Sequence, residues 1–226
     1  MQRIRKAKST AVLRAFPILF FLVLIITGFS ASAQQNFYDT DLLPASFHES
    51  RRAELRKKLQ PNSIAFVFAN PVRNRTNDVD YQYIFDPDLY YLTGLMEPNA
   101  VLMVSNTNFM VGGKETNEAL FIMGRDSAAE VWTGRQLDIT EAGQKLGLKM
   151  VLSNTEFSNS IPDLNSFDKV MAKFPTDIRE SKSMKAKLGG LVWSLKQKAE
   201  SQKVEISSAV LLKQLASLRE IKSKQE

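Results

Sequence analysis

Ser63-Ile-Ala-Phe-Val-Phe-Ala69 is an uncharged run of β-branched and aromatic side chains, and nothing else in the chain restricts the fold as tightly. Short, continuous and apolar, it reads as a strand covered on both faces. Such a strand needs helices on both sides. Further strands are expected at Ala100–Val104, Ala119–Met123, Lys149–Leu152 and Lys169–Phe174, with Ala100–Met123 folded as a hairpin and Asn106–Glu118 as its exposed connection. Strands alternating with helices predict an α/β domain with a mixed β-sheet flanked by helices.

The helices follow from local signals. Ser46 is the expected N-cap of a helix from Phe47 to Leu59, with Phe47, Leu55 and Leu59 on one face and Arg51, Arg52, Lys57 and Lys58 largely on the wet side. Asp86-Pro87-Asp88 supplies an N-cap, a first-turn proline and an early acid, and Gly94 a stop, so Pro87–Thr93 is a short helix. Thr140 is expected to cap a helix ending at Gly147, Thr155 to about Leu164 forms another, and Ala128–Gly134 is irregular. Ser207–Leu218 carries an apolar stripe of Leu211, Leu212, Leu215 and Leu218 close to the end of the chain, and that stripe needs a cover.

Charge is segregated along the 226 residues. Residues 1–33 hold five basic and no acidic residues, 34–178 hold 14 basic and 19 acidic, and 179–226 hold 11 basic and 5 acidic. The body is acidic, so the overall +6 does not describe a basic face with interleaved aromatics, and direct nucleic-acid binding is not expected. The basic start, the apolar stretch Ala15–Ile26 and Ala31-Ser-Ala33 have the order of a signal peptide cleaved after Ala33. The apolar core falls short of the roughly 20 residues of a membrane span. A periplasmic or extracellular mature chain follows, touching membrane only through the leader.

The inventory of reactive groups is thin. With no cysteine, thiolate nucleophiles, disulfides and zinc-thiolate sites are excluded. The single histidine, His48, has no second ligand at metal spacing and reads as a solvated helix residue. Asp78, Asp80, Asp86 and Asp88 lack the loop glycine and terminal glutamate of an EF-hand. Gly112-Gly113 and Gly189-Gly190 match no phosphate-loop fingerprint and read as turns. Arg73 and Arg75 read as solvated charges, and Trp132 by its size as packed. No catalytic residue, bound cofactor or metal ligand is expected of this chain.

Three stretches carry a family likeness. The helix and strand ending in Phe-Ala-Asn-Pro71 are followed by Arg75, Asp78 and Asp80-Tyr-Gln-Tyr83, then by Asp88-Leu-Tyr-Tyr-Leu-Thr-Gly94 and Glu97-Pro98. Arg125-Asp126 and Ala129-Glu-Val-Trp-Thr-Gly-Arg135 form the third, and beyond the three Leu218-Arg-x-x-Lys-Ser223 looks like a junction with a following domain. In this order they resemble the N-terminal domain of aminopeptidase P (Xaa-Pro aminopeptidase), shared with prolidase and creatinase. The resemblance implies a mixed sheet flanked by helices, a role in building dimers or tetramers, and a following catalytic pita-bread domain. That domain would hold two manganese ions through two aspartates, one histidine and two glutamates, and cleave the bond before a proline in the second position. By motif position Asp78 is implied as an anchor for the substrate's free amine, Trp132 as a wall of the substrate cleft, and Arg219 as a junction arginine reaching toward it.

The expected layout is therefore a signal peptide over 1–33, a tether over 34–45, the N-terminal domain over 46–178 and a basic helical segment over 179–226 leading to a catalytic domain outside this chain. The chain is expected to be inactive alone. A stand-alone, non-catalytic binding or assembly module is the other reading open to the residues.

Overall fold

The computed structural model describes residues 43–128, 130–224 and 226. The expected leader and most of the tether lie outside them. Residues 42–226 cluster as one compact unit. Among the described residues no helix is long and apolar enough to cross a membrane.

Strand β1 (Ser63–Phe68) is buried at every position, as a doubly covered strand must be. It pairs antiparallel with β4 (Val101–Val111), Phe66 opposite Met103, and parallel with β7 (Lys169–Lys173), Phe66 opposite Ala172. β5 (Lys114–Ile122) folds back on β4, β6 (Val151–Ser153) runs parallel to β5, and β8 (Ile206–Ser207) runs parallel to β7. The order β6-β5-β4-β1-β7-β8 is a mixed six-stranded sheet. A separate two-stranded hairpin joins β2 (Asn74–Thr76) to β3 (Val79–Asp80) within what the sequence presents as a polar loop.

The helices are α1 (Ala45–Lys58), α2 (Pro87–Thr93), α3 (Glu130–Thr133), α4 (Ile139–Leu146), α5 (Phe157–Ser160), α6 (Leu188–Gln202) and α7 (Ala209–Glu220). Phe66 and Phe68, two apart in β1 and so on one face of the sheet, meet Phe157 of α5 edge-on, and Phe121 of β5 does the same at 5.2 Å between ring centroids. Helix α1 packs against α2, β4 and α7. Helix α2 behaves as its sequence predicts: Asp86 accepts from the amides of Asp88 and Leu89, and Gly94 stops it at φ 76°.

Several expectations are corrected. Ser46 lies inside α1, whose cap position is Pro44 without a side-chain bond, and α4 is capped by Asp138 rather than Thr140. Asn106–Glu118 is not a loose connection, because β4 and β5 run through it and only Gly112-Gly113 turns, both glycines at positive φ. Gly189-Gly190 is not a turn: it is the first turn of α6, where an added Cβ would collide with the carbonyl oxygens of Arg179 and Met184. Thr155–Leu164 breaks into a short 3₁₀ turn and the four residues of α5. Residues 179–226 contribute α6, β8 and α7 to the same compact unit as the body. Leu211, Leu215 and Leu218 are buried, so the α7 stripe is covered within the domain, while Leu212 faces out.

Two further corrections concern charge. His48 is buried, not solvated, and its Nδ1 donates to the carbonyl of Tyr91 at 3.0 Å. Burial holds its imidazole below the ordinary histidine range, and the nearby Arg52 charge adds to this. Arg52 is wholly buried although it lies among basic neighbours. It donates to Glu118, to the carbonyl of Leu92 at the end of α2, and to that of Gly147 after α4.

Candidate functional site

Two surface features carry the chemistry-bearing motif residues. The first is the β2–β3 hairpin, exposed along its whole length. Asn74 Nδ2 closes it from within, donating to the carbonyls of Asn77 and Val79 and to Asp80 Oδ1. Asn77 takes φ 45°, a left-handed conformation that asparagine tolerates better than most residues. Asp78 follows it at the tip, in water. The chain leaving the hairpin is fixed by Tyr83, whose hydroxyl donates to the carbonyl of Glu97 at 3.3 Å, and burial pushes that phenol's pKa well above the tyrosine range.

The second feature is α3, a single turn with none of its residues buried. Val131 is 80% and Trp132 88% exposed, so the expectation that Trp132 packs is overturned. The turn is nonetheless tied at both ends. Arg125 grips both carboxylate oxygens of Glu130 at 3.0–3.1 Å, and the amide of Gln136 donates to Glu130 Oε1 at 3.0 Å. Leu137, one residue on, donates its amide to Glu97 Oε1 at 2.8 Å. Glu97 thus receives Tyr83 on its carbonyl and Leu137 on its carboxylate, linking the chain that leaves the hairpin to the chain that leaves α3. The Arg125 guanidinium, with the Gln136 amide, holds the Glu130 carboxyl below the usual carboxylate range.

Arg219 sits elsewhere. Its guanidinium donates to Asp88 Oδ1 at 2.9 Å, while Lys173 Nζ lies 2.6 Å from both Asp86 Oδ2 and Asp88 Oδ2. The N-terminus of α2 gathers two carboxylates and two cations. No hydrogen bond or ion pair joins any two of Asp78, Trp132 and Arg219. Glu130 and Glu97, which organise the α3 turn, carry no role in the sequence reading. A signal for Glu130 exists in hindsight: it is an acid between Arg125 and Arg135 in a stretch without apolar period.

Among the described residues no group of three His, Cys, Asp or Glu side chains is placed to hold a metal ion. Asp86 and Asp88, which share Lys173, are taken up by that lysine, by Arg219 and by the amides of α2.

Residues 48–171, more than half of the chain, match the family model described as the aminopeptidase P N-terminal domain. The chain belongs to this family. An Xaa-Pro aminopeptidase of Escherichia coli K12 is 35% identical over 123 residues, 54% of this chain and 27% of that protein. One of Haemophilus influenzae is 33% identical over 122 residues, again 54% of this chain and 27% of the relative. Among solved structures, E. coli aminopeptidase P with the inhibitor Pro-Leu superposes with a TM-score of 0.60 at 27% identity, covering 81% of this chain and 40% of that one. The aminopeptidase P domain seen here thus spans about a quarter of the length of these curated relatives. Its motif residues fall on the hairpin, on α2 and on the α3 turn, where they serve as caps, ties and exposed tips.

Proposed function

We propose that this chain is the N-terminal, non-metal-binding domain of an exported Xaa-Pro aminopeptidase, a metallopeptidase that removes an N-terminal residue preceding proline. The observation that carries the reading is Trp132, an indole left 88% exposed on a turn tied at both ends inside a family-matched domain. An exposed tryptophan held in place is suited to contacting a ligand or a neighbouring subunit. In this role Trp132 walls the peptide cleft, Asp78 meets the substrate's free amine, and Arg219 marks the junction with the catalytic half. The domain supports assembly into dimers or tetramers and forms the substrate end of the cleft. Manganese chemistry belongs to the catalytic half, and the chain alone is inactive. Export follows from the leader, whose removal leaves Gln34 as the first residue of the mature protein.

Purified protein starting at Gln34 is tested with manganese and an Xaa-Pro peptide. The expected result is no turnover and no manganese-induced rise in melting temperature, because an ion bound only by the folded state would raise it. Turnover or stabilisation by manganese overturns the reading.

A stand-alone assembly module is the second reading, and the covered α7 stripe favours it, since a domain whose core closes on itself folds without a partner. The nucleotide sequence after codon 226 separates the two. A metallopeptidase reading frame there supports the first, and an unrelated one the second.

A further inference from the structure

Apolar packing does not hold the turn that presents Trp132, because no residue of α3 is buried. A single helical turn does not hold itself either: nucleation is unfavourable, and isolated helices shorter than about 12 residues are marginal in water. Polar ties take the place of a core. Glu130 opens α3 with its side chain only 13% exposed, whereas its partner Arg125 is 48% exposed. Its two carboxylate oxygens accept three hydrogen bonds from Arg125 and one from the Gln136 amide, so a single side chain joins the segment before α3 to the segment after it. The backbone is closed over the same interval, with the Glu130 amide donating to Asp126 and the Gly134 amide to Glu130, both at 3.0 Å.

We infer that Glu130 is the positioning residue for Trp132: its carboxylate clamps Arg125 to the Gln136 amide and thereby fixes the turn from which the indole projects. The inference rests on the reading of Trp132 as a wall of the peptide cleft. It adds the means by which an indole in water is kept ready for a ligand. A turn ordered only on binding costs affinity, and one already ordered costs less. Glu130 touches no substrate in this scheme; it acts through Trp132.

The chain contains two tryptophans, so Trp193→Phe leaves Trp132 as the sole indole reporter. Time-resolved fluorescence anisotropy is measured on Trp193→Phe, and on the same background carrying Glu130→Ala or Glu130→Gln, with far-UV circular dichroism alongside. Glu130→Ala is expected to raise the amplitude of fast indole depolarisation at least twofold with the dichroism unchanged. Glu130→Gln, which keeps an acceptor oxygen for the Gln136 amide, is expected to fall between Glu130→Ala and the parent. An amplitude in Glu130→Ala equal to the parent overturns the inference. If Glu130→Ala does not fold, Arg125→Ala replaces it with the same two outcomes. No peptide is present in this experiment. Should Trp132→Ala then leave peptide affinity unchanged in an assembly with a catalytic half, the cleft reading fails while the clamp stands.

Discussion

The hydroxyl of Tyr91 donates to the carbonyl of Leu218 at 2.9 Å, joining α2 to the last turn of α7 across 127 residues of chain. Leu218 is among the last carbonyls of its helix, which have no intrahelical partner, and here a buried phenol supplies one. Arg219, the next residue, binds Asp88 at the other end of α2. Helix α2, central to the family motif, is therefore also the seat on which α7 is fixed.

Tyr91→Phe removes that donor without removing the ring, which lies edge-on to Phe47. The cost is expected to be about 1–3 kcal/mol, the penalty of a buried acceptor left unpaired. Urea unfolding measures it, and amide exchange should show faster opening at the end of α7 than at its start. Equal stability of the two proteins would mean that water replaces the phenol.

Arg52 is a stronger case. It is fully buried, and its guanidinium satisfies two carbonyls at helix ends as well as Glu118. Arg52→Met strands all three groups, apart from what Arg56 still supplies to Glu118. The expected loss is about 3–5 kcal/mol, as for breaking a buried ion pair from one side. Arg56→Met, at a partly exposed site, is expected to cost about 1 kcal/mol or less. Denaturant midpoints of the two variants test the ordering.

His48 predicts a pH dependence. Its folded pKa lies below its ordinary value because burial disfavours the charged ring, whereas the unfolded ring titrates near 6.5. Between the two values the unfolded chain binds the proton and the folded chain does not, so stability rises with pH there. The contribution is fully present above about pH 6.5 and is lost as pH falls through the folded value. His48→Asn, which offers an amide to the Tyr91 carbonyl and does not titrate, should flatten this part of the profile. As the chain has one histidine, imidazole proton resonances read the folded pKa directly.

What could be read from the sequence divides along physical lines. Helix α2 was readable to the residue because its start and stop are local: Asp86 reaches amides two and three residues on, and Gly94 needs only its own φ. Strand β1 is readable because full burial leaves no charged side chain in Ser63–Phe68. Sequence neighbours alone place Arg52 and His48 on the wet side, because their partners are distant in the chain: the Glu118 carboxylate and the Leu92 and Gly147 carbonyls, and the Tyr91 carbonyl. The cover of α7 is hidden from the sequence for the same reason, since α1 and β7 lie far back in the chain. Of the candidate site, Trp132 and Asp78 came from family likeness, and no local rule announces that an indole will stay in water.

Gly189 and Gly190 illustrate the limit of local rules from another side. Both stand in a helix, where glycine is ordinarily a weakness relative to alanine by about 1 kcal/mol. Propensity alone therefore says that Gly189→Ala should stabilise α6. The Arg179 carbonyl, packed where the new methyl would go, says the reverse. The collision is with backbone, which cannot rotate away, so the expected outcome is a net destabilisation of about 1–3 kcal/mol. Gly143→Ala, in α4, meets the Leu148 carbonyl at a looser 3.2 Å and should cost less. Thermal unfolding of the two variants, compared with the parent, decides between propensity and packing.

Trp132→Ala separates function from folding. An indole 88% exposed on a turn with no buried residue contributes no core, so its removal should change stability by no more than about 0.5 kcal/mol. Leu95→Ala, at a fully buried side chain just after α2, is expected to cost about 2–5 kcal/mol. Trp132→Ala should therefore unfold with the parent in urea, and yet raise the KM for an Xaa-Pro peptide wherever the domain is assayed with a catalytic half. A large exposed apolar side chain is a solubility cost that folding does not require. If Trp132→Ala neither alters peptide kinetics nor changes self-association, the indole has no part in the cleft or in the assembly, and the α3 turn loses its proposed purpose.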